Sequence, residues 1–300
     1  MLPSVGRHHF WLGENLGNRS VLEDTFRIAT VRGETAGQGR RSLRIVRIDP
    51  VTDLLDRWLA GSATKVGPHV LITLAEIPGS RAVVIDDLRA VVSSHYVDPA
   101  TVSKWLAAHG APKTAELLAM HLPKTKTARS GDIGEILATE IAERHLGFEV
   151  PVRRLRWKDG RNLALRGDDV VGLAREEGKV AFLKGESKSR IRLAASVVTE
   201  AGDTLDEDRG RPGRNSVLFV ADCLRHQKLD DLAKDLEDAV LKSFAGHRVE
   251  HLLFVLSGND PAPLLAAHLN DCAANPRRRD GVGLQIEDHS EFIRALFEGF

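Results

Sequence analysis

Asp169, Glu186 and Lys188 have the residue types and the spacing to handle a divalent cation and a phosphate. Asp169 lies in Gly167-Asp168-Asp169-Val170-Val171, and the other two in Phe182-Leu183-Lys184-Gly185-Glu186-Ser187-Lys188. Between them, Glu176-Glu177-Gly178-Lys179 reads as a turn centred on Glu177 and Gly178. In an antiparallel hairpin with that centre, Asp169 faces Glu186. Directly paired side chains on one face lie ~4.5–5.5 Å apart at Cβ, close enough to share one ion. Strand alternation puts Lys188 on the same face, whereas Asp168 pairs with Ser187 and points the other way. Two converging carboxylates suit a hard ion, Mg²⁺ (or Mn²⁺), which takes oxygen ligands and keeps several waters. A lysine beside it can orient a water or neutralise charge developing on a phosphate. Exposed charges on an ordinary hairpin are the plainer reading, but Val170, Val171 and Leu183 give the strands buried character. Unpaired acids in such strands are costly.

The elements that must position these residues follow from apolar periodicity and breakers. Val70–Leu74 and Ala82–Ile85 read as strands, as do Phe26–Val31 and Leu43–Ile48. Val51–Leu59 reads as a helix, and so does Ala100–Ala108 after the Asp98-Pro99 start signal. The basic stretch His121–Arg129 carries no apolar face and reads as a boundary, giving an α/β domain over 1–120 and a second domain over 121–300. Ser130-Gly131-Asp132 then offers an N-cap to a helix carrying Ile133, Leu137 and Ile141, stopped at Gly147. Pro151–Trp157, Asp169–Leu173 and Val180–Lys188 read as strands. Helices follow over Ala194–Leu205, Val217–Leu224 and Leu229–Val240. A strand at Val249–Leu256, a helix after Pro261, a strand near Val282–Ile286 and a helix at Ser290–Phe297 complete an α/β pattern.

Composition excludes several classes. Forty-two basic residues balance 42 acidic ones, which excludes a wholesale cationic coat but allows a local basic patch. Cys223 and Cys272 alone cannot build a disulfide framework and fit a reducing, cytoplasmic compartment. With 10 Phe, 4 Trp and 1 Tyr, the chain has few rings for stacking single-stranded bases. No run approaches the ~20 apolar residues of a membrane helix, and Arg7, His8 and His9 interrupt any signal-peptide core.

Asp169-x16-Glu186-x-Lys188, on the second and third strands after a helix, resembles the pattern of the PD-(D/E)xK nuclease superfamily. Gly134-Glu135-Ile136-Leu137-Ala138 resembles the opening helix of its Holliday-junction-resolvase-like members, where the helix acid helps hold metal; that role carries over to Glu135. Gly167 or Asp168 stands where the superfamily name has proline. More narrowly, Arg129–Glu135, Leu155–Asn162, Gly167–Asp169 and Leu183–Lys188 are similar to the nuclease subunit family of the Hachiman anti-phage defence system. The match is close over 124–190, loose over the remaining C-terminal part and slight over the N-terminal third. The resemblance implies a restriction-endonuclease-like core with a mixed central sheet flanked by helices. It also implies Mg²⁺-dependent hydrolysis of DNA phosphodiesters and a superfamily 2 DNA helicase partner (HamB-like), for which 1–120 is the expected docking part. Asp169, Glu186 and Glu135 are then the metal residues, and Lys188 the fourth catalytic residue. The competing functions are a stand-alone repair or restriction-type nuclease and a non-catalytic adaptor that restrains a helicase.

Residues 151–166 hold six basic residues against Asp159 alone. On a half-buried strand, Arg154, Arg156 and Lys158 alternate with Leu155 and Trp157, so these three and Arg161 are the expected DNA-phosphate contacts. A charge-protected edge strand explains the pattern equally well. Cys223-x-x-His226 has no second ligand pair and reads as a buried thiol and a surface imidazole. Gly37-Gln38-Gly39 lacks a third glycine, and no GxxxxGK[ST] sequence exists, so the chain carries no motor of its own.

Overall fold

The computed structural model describes residues 54–163, 166–176 and 179–298. In chain order these form α1 (Leu54–Trp58), β1 (Leu59–Val66), β2 (His69–Glu76), α2 (Ser80–Tyr96), α3 (Pro99–His121) and α4 (Lys126–Arg144). A single 3₁₀ turn (Arg154–Trp157) leads to β3 (Val170–Glu176), β4 (Lys179–Arg190), α5 (Ala195–Gly210), α6 (Arg214–His226) and α7 (Asp230–Leu241). Then come β5 (Val249–Ser257), α8 (Ala262–Asp271), β6 (Arg279–Gln285) and α9 (His289–Phe297).

The strands form one mixed sheet in the order β1-β2-β6-β5-β4-β3. The inner pairs β2/β6, β6/β5 and β5/β4 are parallel, and the outer hairpins β1/β2 and β3/β4 antiparallel. All nine residues of β5 are buried, as a central parallel strand covered on both faces requires. On one face, α1, α2, α4 and α9 pack through Trp58, Val84, Ile133, Ile141 and Phe292 against Leu183, Leu252, Phe254 and Val282. On the other face, α6 and α7 cover Val171, Phe182 and Val249, while α5 and α8 cover Leu253 and Val255. The result is a mixed α/β sandwich.

Several expectations are corrected. Ala82–Ile85 lies inside α2, not in a strand. Its β-branched run misleads, whereas Val84, Leu88 and Val92 recur every four residues and are all buried. Pro151–Trp157 is not a strand. Its only ladder contact is the neighbouring bridge Glu149↔Leu173, after which the chain tightens into the 3₁₀ turn. The helix expected to start at Ser130–Asp132 starts at Lys126, because Thr125 caps it by accepting from the Ala128 N–H at 3.2 Å. Half of the proposed basic boundary is therefore helix. Strands from both sides of the 120/121 division share the sheet, since β2 pairs with β6. The expected strands Phe26–Val31 and Leu43–Ile48, the start of Val51–Leu59 and Gly37-Gln38-Gly39 lie outside the described residues.

Candidate active site

The hairpin β3/β4 has the register that the turn position implies: Val170 pairs with Gly185, Val171 with Lys184 and Glu176 with Lys179. Asp169, one residue before Val170, thus enters opposite Glu186. Gly185 is needed here, because a Cβ at that position would meet the Val170 Cβ at 2.7 Å. Asp169 is fixed by β4 itself: its Oδ2 accepts from the Ser187 N–H and from the Ser187 hydroxyl, each at 2.9 Å. Asp168 turns away into the protein, where its Oδ2 accepts from the Gly213 N–H at 2.7 Å and its Oδ1 lies 3.8 Å from Lys184 Nζ.

Glu186 Oε1 lies 3.1 Å from Lys188 Nζ, and that ammonium also donates to Glu200 Oε1 of α5 at 2.9 Å. Burial first, and the Asp169 charge second, push the Glu186 carboxyl up to about 7. Burial pulls the Lys188 ammonium down, but Glu200 and Glu186 outweigh it and raise its proton affinity above the ordinary value. Lys188 is therefore a fixed cation at neutral pH.

Glu135 comes from the opposite layer. α4 lies against β4, where a Cβ at Gly134 would make ordinary contact with the Ser189 Cβ at 3.4 Å and the Ser187 Oγ at 3.5 Å. Burial pushes the Glu135 carboxyl up to about 8, with Arg154 opposing and Asp169 reinforcing the shift. Asp169 is thus the acid that interacts with both others. Among the described residues, no three His, Cys, Asp or Glu side chains are grouped so as to hold a metal ion as they stand.

The basic residues expected to face solvent are mostly committed inside the protein. Lys158 donates to both oxygens of Asp132 at 2.7 and 2.9 Å, and the Tyr96 hydroxyl donates to the same carboxylate at 2.7 Å. Arg156 donates to the Ser94 carbonyl at 2.7 Å and to Asp98 at 3.1 Å. Arg161 reaches the Ala119 carbonyl at 3.4 Å. Arg154 is the least anticipated: the 3₁₀ turn aims it inward, only 8% exposed, with Nη2 donating to the Arg166 carbonyl at 2.8 Å. Its Nη1 is buried without a hydrogen-bond partner, 3.9 Å from Glu135 Oε1 and 3.9 Å from Asp169 Oδ1. An inward arginine among acids has no period-2 signature, so the sequence carried no signal for it beyond its type.

The HamA family model matches residues 54–300. The chain belongs to the HamA family. A relative from Bacillus cereus, Hachiman protein HamA, is 26% identical over 177 residues, which are 59% of this chain and 62% of that protein. The chain therefore spans less than two thirds of that relative. The HamA match begins with α1 and takes in β1, β2 and α2 together with the hairpin, in keeping with one continuous sheet. The Hachiman resemblance read from the motifs of residues 124–190 is borne out by this membership.

Proposed function

We propose that this HamA-family chain is a PD-(D/E)xK-type, divalent-metal-dependent deoxyribonuclease, the effector subunit of a Hachiman defence complex that includes a superfamily 2 DNA helicase. The observation that carries the reading is the hairpin register, which puts serine-anchored Asp169 opposite Glu186 with Lys188 two residues on. The donor set fits Mg²⁺ in kind: hard carboxylate oxygens, with the Glu186 and Glu135 carboxyls raised chiefly by burial. Asp169 and Glu186 would hold the ion, with Glu135 acting through a water. When bound, it would supply Lewis-acid polarisation of a phosphate oxygen and a more acidic water.

In the hydrolysis, a water oxygen forms a bond to phosphorus, the bond to the leaving sugar oxygen breaks, and that oxygen takes up a proton. Lys188, held as a cation between Glu186 and Glu200, orients the water and stabilises negative charge on the phosphate. Ser187 fixes the Asp169 carboxylate through two donors, so it loses no rotamer freedom during the reaction. Arg154 balances charge between Glu135 and Asp169.

One observation favours the non-catalytic adaptor instead: no three acids among the described residues are grouped for a metal as they stand. Plasmid cleavage by the chain co-purified with its helicase, with Mg²⁺ and ATP and again in EDTA, decides between the two. Metal-dependent cutting lost in Glu186→Ala and Lys188→Ala supports the nuclease. Cutting that survives both substitutions, or no cutting under any condition, rejects it.

A further inference from the structure

Beside the acid cluster lies a cleft of about 610 Å³, walled by the 3₁₀ turn and the first turn of α6, with Arg154, Trp157, Arg166, Asn215 and Phe219 around it. Arg154 belongs both to this cleft and to the acid cluster. Gly167, two residues before Asp169, forms part of the wall, so the cleft opens where the hairpin begins. Gly167 has φ +97°, and a Cβ there would meet the Ser216 hydroxyl at 2.5 Å. The Asp168 N–H donates to that same hydroxyl at 3.1 Å, so the cleft wall is tied to the strand that carries Asp169.

Trp157 is the unusual feature. It is 49% exposed in a chain with only four tryptophans, and Trp58 is fully buried. Phe219 of α6 meets it edge to face, with ring centres 5.7 Å apart and planes at 88°. Such a contact braces the indole without sandwiching it. Exposed Asn215 offers an amide donor and acceptor, and exposed Arg166 a positive charge. The volume falls within the ~300–1,000 Å³ of small-molecule sites, enough for one nucleotide and far too little for a duplex.

We propose that this cleft seats one unpaired nucleobase of the strand being cut, stacked on Trp157, next to the phosphate presented to Asp169 and Glu186. The proposal rests on the nucleic-acid reading of the adjoining site. A base within a duplex has both faces covered by its neighbours, so a protein ring can stack on it only when it is single-stranded or flipped out. The chain then favours single-stranded or locally melted DNA, whatever the sequence, because every base has a π-face.

The test is fluorescence anisotropy of the full-length chain in EDTA and low salt. The two ligands are a labelled oligothymidylate and an abasic strand of equal length, which has the same phosphates but no bases. The wild type is expected to bind the base-bearing strand about tenfold or more tightly. Trp157→Ala should erase that difference while leaving the abasic affinity unchanged and the protein folded at the assay temperature, and Trp157→Phe should restore most of it. Equal affinity of the wild type for both strands, or no binding of either, overturns the proposal. A Trp157→Ala protein that keeps the full preference also overturns it and marks the ring as a protein contact. A chain that cuts DNA without base-dependent binding loses only the base seat. A chain with base-dependent binding that never cuts loses only the nuclease reading.

Discussion

Arg154 Nη1 and Asp169 Oδ1 stand 3.9 Å apart, a charge pair too long for a hydrogen bond, in which the guanidinium nitrogen is fully buried. Glu135 lies at the same distance on the other side. Arg154 thus offsets charge in the place where a cation would be welcome. Arg154→Met should destabilise the metal-free protein by roughly 1–3 kcal/mol at pH 9, where Asp169 and Glu135 are both charged and lose their counter-charge. Added Mn²⁺ should then raise its melting temperature more than it raises that of the wild type. Equal metal-induced shifts in the two proteins, read by thermal denaturation, would refute this role.

Stability should also depend on pH through the two raised carboxyls. Glu135 and Glu186 titrate at about 8 and about 7 in the folded chain, against 4.5 as the ordinary value. Their folded-state proton affinities are raised, so their contribution to stability is full below pH 4.5 and is lost as pH climbs through 7 and 8. Glu135→Gln, a stand-in for the protonated acid, should be more stable than wild type at pH 9, by on the order of 2–4 kcal/mol, and equal to it at pH 4. Parallel stability curves for the two proteins in EDTA, by urea denaturation, would contradict the assignment.

Neighbouring aspartates should part company. Asp169→Asn should abolish cleavage and keep both Ser187 contacts, because an amide oxygen can still accept from them, while Arg154 loses one of its two neighbouring acids. Asp168→Asn should cost roughly 1–3 kcal/mol through the buried Gly213 and Lys184 contacts, and leave cleavage per folded molecule nearly intact. Melting curves beside single-turnover cleavage rates distinguish the two, and the opposite order would show that the hairpin is read one residue out of register.

Weak DNA binding by the isolated chain is the fourth expectation. Arg153, Arg156 and Lys158 are engaged with Glu143, Asp98 and Asp132, which removes three cations from the basic segment. Few phosphates remain to be neutralised, and log K falls with log salt by ~0.9 per contact. Binding should be weak at physiological salt, with a shallow salt slope, and cleavage should require the helicase and ATP. Tight, salt-resistant binding and vigorous cutting by the single chain would favour a stand-alone nuclease.

The hairpin was legible because one cross-strand pair fixes all the others: the turn signal in the sequence implies Glu176 opposite Lys179, and that register puts Asp169 opposite Glu186. β5 was legible as a continuous apolar run. β1 was not, since all but Leu59 and Val66 of this edge strand are exposed and no alternation marks it. Arg154 and Trp157 were misassigned together: four residues that alternate charge and apolarity fit a strand and a 3₁₀ turn equally well. Only the turn sends Arg154 into the acids and leaves Trp157 outside.

β6 sits between β2 and β5, and the backbone N–H of Arg279 at its start donates to His69 on β2, 210 residues earlier. During synthesis the β1/β2 hairpin must therefore wait, its inner edge bare, until the ribosome has released β6. The sheet is completed only once β6 has been made, and closing that long loop carries an entropic cost. A nascent chain stalled before residue 279 exposes two unpaired strand edges, on β2 and β5. Such fragments are substrates for chaperones or for aggregation, whereas the β3/β4 hairpin can form early.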